Sequence, residues 1–229
     1  MLADVGRSTR DRPAKAPLSR EAVVEAGLKV LRRAGIEGVT MRAVAAELDT
    51  GPASLYVYVG NREELLDQMF DAVAEEVDLG PEPAARRWRD QLEALLTRVR
   101  QAMDRHPGIA RVPLANVPTG PGAARVVERI LAILRVGDID DRSAAWFADV
   151  VFLFVNAASF EASIYLEEGR AHEDLDVEIR EHFERLDPAE FPNIVSMVEP
   201  LTTGNLDERF SFGLRLMIEG LLRVAPPRS

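Results

Sequence analysis

Residues 40–65 read TMRAVAAELDTGPASLYVYVGNREEL, the punctuation of two very short helices and the opening of a third. Thr40 stands as an N-cap ahead of Met41, Val44, Ala45 and Leu48, which fall at helical spacing. Asp49, Thr50 and Gly51 supply a tight turn, and Pro52 suits the first turn of the next helix, where its missing N–H costs nothing. That helix is expected over 53–59 and is ended by Gly60; Asn61 and Glu64 then have capping-box spacing. Helices this short do not hold alone and must pack on a third. A helix-turn-helix supplies that arrangement, its first helix crossing a DNA backbone and its second entering the major groove. Val44, Ala45, Leu48, Leu55 and Val59 would face inward, leaving Arg42, Ser54, Tyr56, Tyr58 and Arg62 for a ligand. Phenol hydroxyls reach phosphate oxygens and their rings touch thymine methyls, although for Tyr56 packing against the preceding helix is a rival role.

Working outward, Ser19 caps a helix carrying Val23, Val24, Gly27, Leu28 and Leu31, which Gly35 stops. Residues 1–17 are polar and arginine-rich and read as a mobile basic arm, followed by a helix-turn-helix domain over 18–66. Residues 67–229 carry further helical stripes: Leu65 to Val77 up to the Gly80-Pro81 break, Trp88 to Met103 within 84–105, Val126 to Leu134 within 123–136, a long helix over 141–168, and Phe210 to Leu221 within 206–224. The expected class is all-α: a three-helix DNA-binding head on a helical ligand-binding and dimerisation body. No strand alternation or internal repeat is evident.

The chain has 229 residues, no cysteine and a net charge of −10. Disulfides and thiolate metal sites are excluded, which fits a reducing cytoplasm. The start has no apolar leader, and the most apolar run, residues 150–155, is too short to cross a bilayer. The net charge argues against nucleic acid, but its distribution does not. Residues 1–62 hold ten basic against seven acidic side chains, the rest 18 against 31. A basic reading head on an acidic body has this pattern, and so does a solvated acidic surface with a basic tail.

Residues 19–66 resemble the DNA-binding domain of the TetR family of repressors. The matching pieces are Arg33-Ala34-Gly35, then Gly38-Val39-Thr40-Met41-Arg42-Ala43-Val44-Ala45, then Leu55-Tyr56-Val57-Tyr58-Val59, then Asn61-Arg62-Glu63-Glu64-Leu65, with Arg62 in place of the family's usual lysine. The resemblance implies that Thr40 and Arg42 contact phosphate and a base edge. Pro52, Ala53 and Ser54 would sit where sequence is read, Tyr56 and Tyr58 would hold phosphates, and Arg62 would clamp the backbone.

The body resembles the tetracycline-repressor branch through Arg105-His106-Pro107-Gly108, the breaker-rich loop 113–121, the long helix and the closing helix from Arg209. That implies a homodimer in which the long and last helices form a four-helix bundle, with Phe210, Leu214, Met217 and Leu221 at the interface; the same stripe would equally suit packing within one chain. It also implies an effector pocket near Trp88, His106, Asn116, Phe147, Phe152, Asn156 and Phe160. His106 has a helix C-cap as its rival role, Asn156 a structural hydrogen bond, and the aromatics ordinary core packing. In the tetracycline repressors a histidine ahead of a GTRP turn holds magnesium; Pro113 stands there in this chain. The expected effector is therefore a small organic molecule bound without metal, and no other cofactor is expected.

Two other classes compete. A helical-bundle enzyme would need Glu three residues before a histidine, but Met103, Gly169 and Ile179 precede His106, His172 and His182, and no phosphate-binding glycine loop or nucleophile elbow appears. An adaptor without DNA binding accounts for the helices and the acidic body but not for the Tyr56/Tyr58 helix. The sequence does not separate repressor from activator. The partners expected are a palindromic double-stranded operator, a small-molecule effector and a second copy of the chain, with no membrane.

Overall fold

A computed structural model describes residues 17–115, 118–168 and 172–225. The sequence-expected arm therefore lies outside the described residues except for residue 17, as does Asn116. Among the described residues the chain forms twelve helices.

The head comprises α1 (Arg20–Gly38), α2 (Met41–Glu47), α3 (Pro52–Leu55) and the start of α4 (Arg62–Glu75). Ser19 and Thr40 cap α1 and α2 through hydroxyls that accept the Ala22 and Ala43 amides, each at 3.1 Å. Gly35 breaks α1 at φ 66°, a left-handed conformation that suits glycine, and the chain then makes one more turn to Gly38. The turn of the helix-turn-helix is a Schellman closure on Asp49 (φ 51°): the Asp49 amide donates to Ala46 O at 3.0 Å and the Thr50 amide to Ala45 O at 2.9 Å. The expected 53–59 helix is shorter: regular helix ends at Leu55, and the Tyr58 and Val59 amides close turns onto Leu55 O. The α4 cap follows the expected spacing with one shift. Asn61 Oδ1 accepts the Glu64 amide at 2.7 Å, whereas the Glu64 carboxylate reaches back to the amide of Gly60 rather than Asn61.

The body contains α5 (Trp88–Asp104), α6 (Arg111–Ala115), α7 (Pro121–Val136), α8 (Asp141–Glu168), α9 (His172–Glu184), α10 (Pro192–Ser196), α11 (Val198–Leu201) and α12 (Leu206–Val224). The α5 stripe of Trp88, Leu92, Leu95, Leu96, Val99 and Met103 is buried throughout, as a helix packed on one broad face requires. α4 packs on α1 in the head and on α5, α6 and α7 in the body; α8 packs on α5, α6, α7 and α12. Buried side chains of head and body form one continuous core running along α4. Taken whole, α8 is apolar and long enough to cross a membrane by length and composition, a property the six-residue run conceals; its contacts with four neighbours are those of a core helix.

The residues of the expected dimer stripe on α12 pack within the chain. Phe210 is 3% exposed and stacks on Phe154, ring centroids 5.4 Å apart. The Arg100 guanidinium covers Phe210 at 4.7 Å. Leu214 and Leu221 are likewise buried within the chain, and Met217 is partly buried against the same core. A Cβ on Gly213 would meet the Phe154 ring at 2.6 Å, so α12 lies close on α8. The exposed apolar residues are a different set: Trp146, Val150 and Leu153 on α8, and Phe212 and Leu216 on α12.

Candidate nucleic-acid interface and effector cavity

The head presents Arg42, Pro52, Ala53, Tyr56 and Val57 to solvent around the start of α2 and the α3 turn. Tyr56 is 55% and Val57 79% exposed, large for apolar-bodied side chains on a short, tightly held turn. Ser54 is half-buried. Thr40 is exposed; its hydroxyl oxygen accepts the Ala43 amide in the α2 cap, and its O–H is still able to donate. Arg42 makes no ion pair among the described residues, whereas Arg33 pairs with Glu47 at 2.8 Å and Lys29 with Glu25 at 2.9 Å. An unpaired cation beside an exposed tyrosine and a β-branched side chain suits phosphate and groove contact.

Two expected DNA contacts are engaged elsewhere. Tyr58, not Tyr56, is the half-buried tyrosine, and its hydroxyl donates to Leu18 O at 2.7 Å, tying the start of the head to the recognition turn. Arg62 Nε donates to Val39 O at 2.6 Å and its Nη2 to Ile36 O at 2.7 Å. The Arg62 guanidinium thus ties the end of α1 to the start of α2 through two backbone carbonyls, of which Ile36 O also accepts the Val39 amide at 3.2 Å, a connecting role that sequence spacing does not reveal.

In the body, α4, α5, α7 and α8, with the α6 loop, enclose a cavity of about 440 Å³. Its wall is largely apolar, with Phe70 and Val73 contributed by α4 and Val77 by the chain just after it. Phe152, Asn156 and Pro113 are part of its wall. Asn156 is 4% exposed, and its Oδ1 has no hydrogen-bond partner among the described residues.

The other expected pocket residues lie elsewhere. Trp88 packs at the far end of α5 on Gly137, where a Cβ would meet its ring at 2.6 Å. Phe147 is buried in the core, and Phe160 lies under the Arg111 guanidinium at 5.7 Å. His106 joins head to body instead. Its Nδ1 stands 3.3 Å from Arg32 Nη1 on α1, and its Nε2 3.0 Å from Glu76 Oε1 at the end of α4. Because arginine only donates, Nδ1 must accept and Nε2 carries the proton given to Glu76. Burial pushes the His106 pKa below its ordinary 6.5, the Glu76 carboxylate pulls it back up, and Arg32 and Arg105 push it down.

Two features therefore meet on one helix. The α4 residues Leu65, Leu66 and Met69 are buried with the head, and Phe70, Val73 and Ala74 in the next turns wall the cavity. A helix-turn-helix head joined in this way to a hollow helical body is the architecture of a ligand-responsive DNA-binding regulator. Residues 23–69 match the bacterial regulatory proteins of the tetR family, and residues 80–225 match the tetracyclin repressor-like C-terminal domain. The chain belongs to the TetR family of transcriptional regulators. It is 31% identical to the HTH-type transcriptional repressor DrrR1 of Streptomyces coeruleorubidus, over 96% of this chain and 83% of that one. Among solved structures it resembles apo ActR from Streptomyces coelicolor, with a TM-score of 0.83 and 37% identity over 92% of this chain and 97% of ActR. The same protein in complex with actinorhodin is similar to the same degree, with a TM-score of 0.83 over 91% of this chain and 98% of ActR.

Proposed function

We propose that the protein is a homodimeric repressor that binds a near-palindromic operator through two helix-turn-helix heads and releases it when a small organic effector enters the α4–α8 cavity. The observation that carries this reading is the shared helix: an effector touching Phe70 and Val73 pushes on the same rigid element whose first turns anchor the head. A shift of α4 changes the spacing of the two heads, and binding in successive major grooves depends on that spacing. DNA contact falls to Arg42, Pro52, Ala53, Ser54 and Tyr56, joined by Val57, whose exposed methyls suit a thymine methyl. That ActR has been crystallised with actinorhodin, a small organic ligand, supports an organic effector here. Dimerisation is assigned to the exposed apolar stripes of α8 and α12, and the site of action is the cytoplasm, where a bacterial operator lies.

The test is selection of bound sequences from a random duplex library at physiological and low salt. Enrichment of a near-palindrome supports the reading, and no enrichment at either salt rejects it. An effector found with that operator must weaken operator binding by the same factor by which operator weakens effector binding. Effector affinity unchanged by saturating operator would refute the release scheme.

A further inference from the structure

The polar side chains of the cavity wall are few. Among the described residues its wall offers only Asp149 and Asn156 as polar side chains, and no lysine, arginine or histidine. Asn156 Oδ1 is a buried acceptor without a donor. An unmet acceptor in an apolar wall carries a desolvation cost, which a ligand N–H or O–H removes. A water would need two or more polar partners to be held there, and apolar walls do not supply them. Asp149 lies at the exposed rim and makes no ion pair among the described residues. The two residues are seven apart on α8, so they lie on one face with about 10 Å between them along the axis. The Asp149 carboxylate and the unmet Asn156 oxygen favour donors and positive charge.

Resting on the reading of this cavity as the effector site, we propose that the effector is a largely apolar, neutral or cationic molecule. It donates a hydrogen bond to Asn156, and Asp149 at the rim selects against a carboxylate or sulfonate. A molecule of two or three aromatic rings fills the span between the two residues and matches a cavity of about 440 Å³.

A matched pair of fluorescent probes tests this. N-phenyl-1-naphthylamine is neutral with one N–H, and 8-anilino-1-naphthalenesulfonate is the same skeleton with an added sulfonate. Binding is read by fluorescence titration of the full chain, wild type beside Asp149→Asn, Asn156→Leu and Val127→Trp. Val127 is a half-buried wall residue, so tryptophan there fills the cavity. The expected result is that Asp149→Asn tightens the sulfonate probe about tenfold and leaves the neutral probe unchanged, as removal of one like charge implies. Asn156→Leu should weaken the neutral probe about tenfold, the effect of one lost ligand hydrogen bond. Val127→Trp should abolish both. If both probes are lost with Val127→Trp but the sulfonate probe ignores Asp149→Asn, or the neutral probe ignores Asn156→Leu, the ligand class is wrong and the cavity stands as a binding site. If neither probe binds, or binding survives Val127→Trp, the cavity is not the site and the reading beneath it fails too.

Discussion

The Asp71 carboxylate caps a helix to which it does not belong: from α4 its Oδ1 accepts the Ala123 amide at 2.9 Å, in the first turn of α7. Four amides at a helix start lack internal partners, and Gly120 leaves α7 without a side-chain cap of its own. Cβ atoms on Gly120 or Gly122 would overlap Asp71, so the two glycines admit α4 to that approach. The helix that anchors the head is thereby pinned to a second wall of the cavity. Asp71→Ala should lower the unfolding free energy by about 1 kcal/mol, the usual worth of a helix cap, as read from urea denaturation. Asp71→Asn, whose amide oxygen still accepts, should lose less; equal losses would show that the cap is not the source.

Arg42 and Arg62 lie on one face of the sequence pattern but have different surroundings. Arg42→Ala should weaken operator binding by roughly 1–3 kcal/mol if it reads a base, with stability and oligomeric state unchanged. Arg62→Ala should instead cost stability, about 1.5 kcal/mol for a charge-assisted pair of bonds to backbone carbonyls, a low figure because its side chain is 32% exposed. Gel-shift titration and urea melts on the same two variants separate the roles.

The tyrosines divide in the same manner. Tyr58→Phe removes the hydroxyl bond to Leu18 O and should cost about 1 kcal/mol of stability. Tyr56→Phe should leave stability unchanged and weaken operator binding, because Tyr56 is 55% exposed. Reversed outcomes in the same two assays would assign the phosphate contact to Tyr58.

Two apolar stripes on α12 make opposite predictions. Leu216→Asp or Phe212→Asp, on the exposed stripe, should yield a folded monomer by light scattering and abolish operator binding. Leu214→Ala, at 0% exposure, should lower stability by about 2–5 kcal/mol because a buried cavity is left behind. A stable dimer carrying Leu216→Asp would place the interface elsewhere.

His106 makes stability depend on pH. Its folded pKa lies below the ordinary 6.5, so between the two values the unfolded chain binds more protons than the folded one. The stability contributed by the neutral ring is complete above the unfolded value and is lost as pH falls through the folded one. Protonation would also set an N–H against the Arg32 guanidinium, in place of the acceptor that now receives it. Urea midpoints measured from pH 7.5 to 5.5 should therefore fall more steeply for wild type than for His106→Gln. Parallel slopes would mean that His106 does not titrate in that window.

The sequence by itself determined what neighbours along the chain decide. The caps at Ser19, Thr40 and Asn61, the Asp49 turn, the Gly35 break and the bounds of α8 and α12 depend on residues one to five positions apart, and each was legible. The buried face of α5 was legible too, because that helix has a single apolar stripe. Tertiary structure alone decided the rest. On α12 both Phe210/Leu214/Leu221 and Phe212/Leu216 are apolar, and only packing against Phe154 and Arg100 selects which set the chain keeps for itself. The partners of Tyr58, Arg62 and His106 lie 40, 23 and 74 residues away along the chain. The cavity and its unmet Asn156 acceptor exist only where four helices fail to meet. Local sequence sets propensity and period, but which face turns inward, and which polar group is left without a partner, follows from close packing among elements distant in the chain.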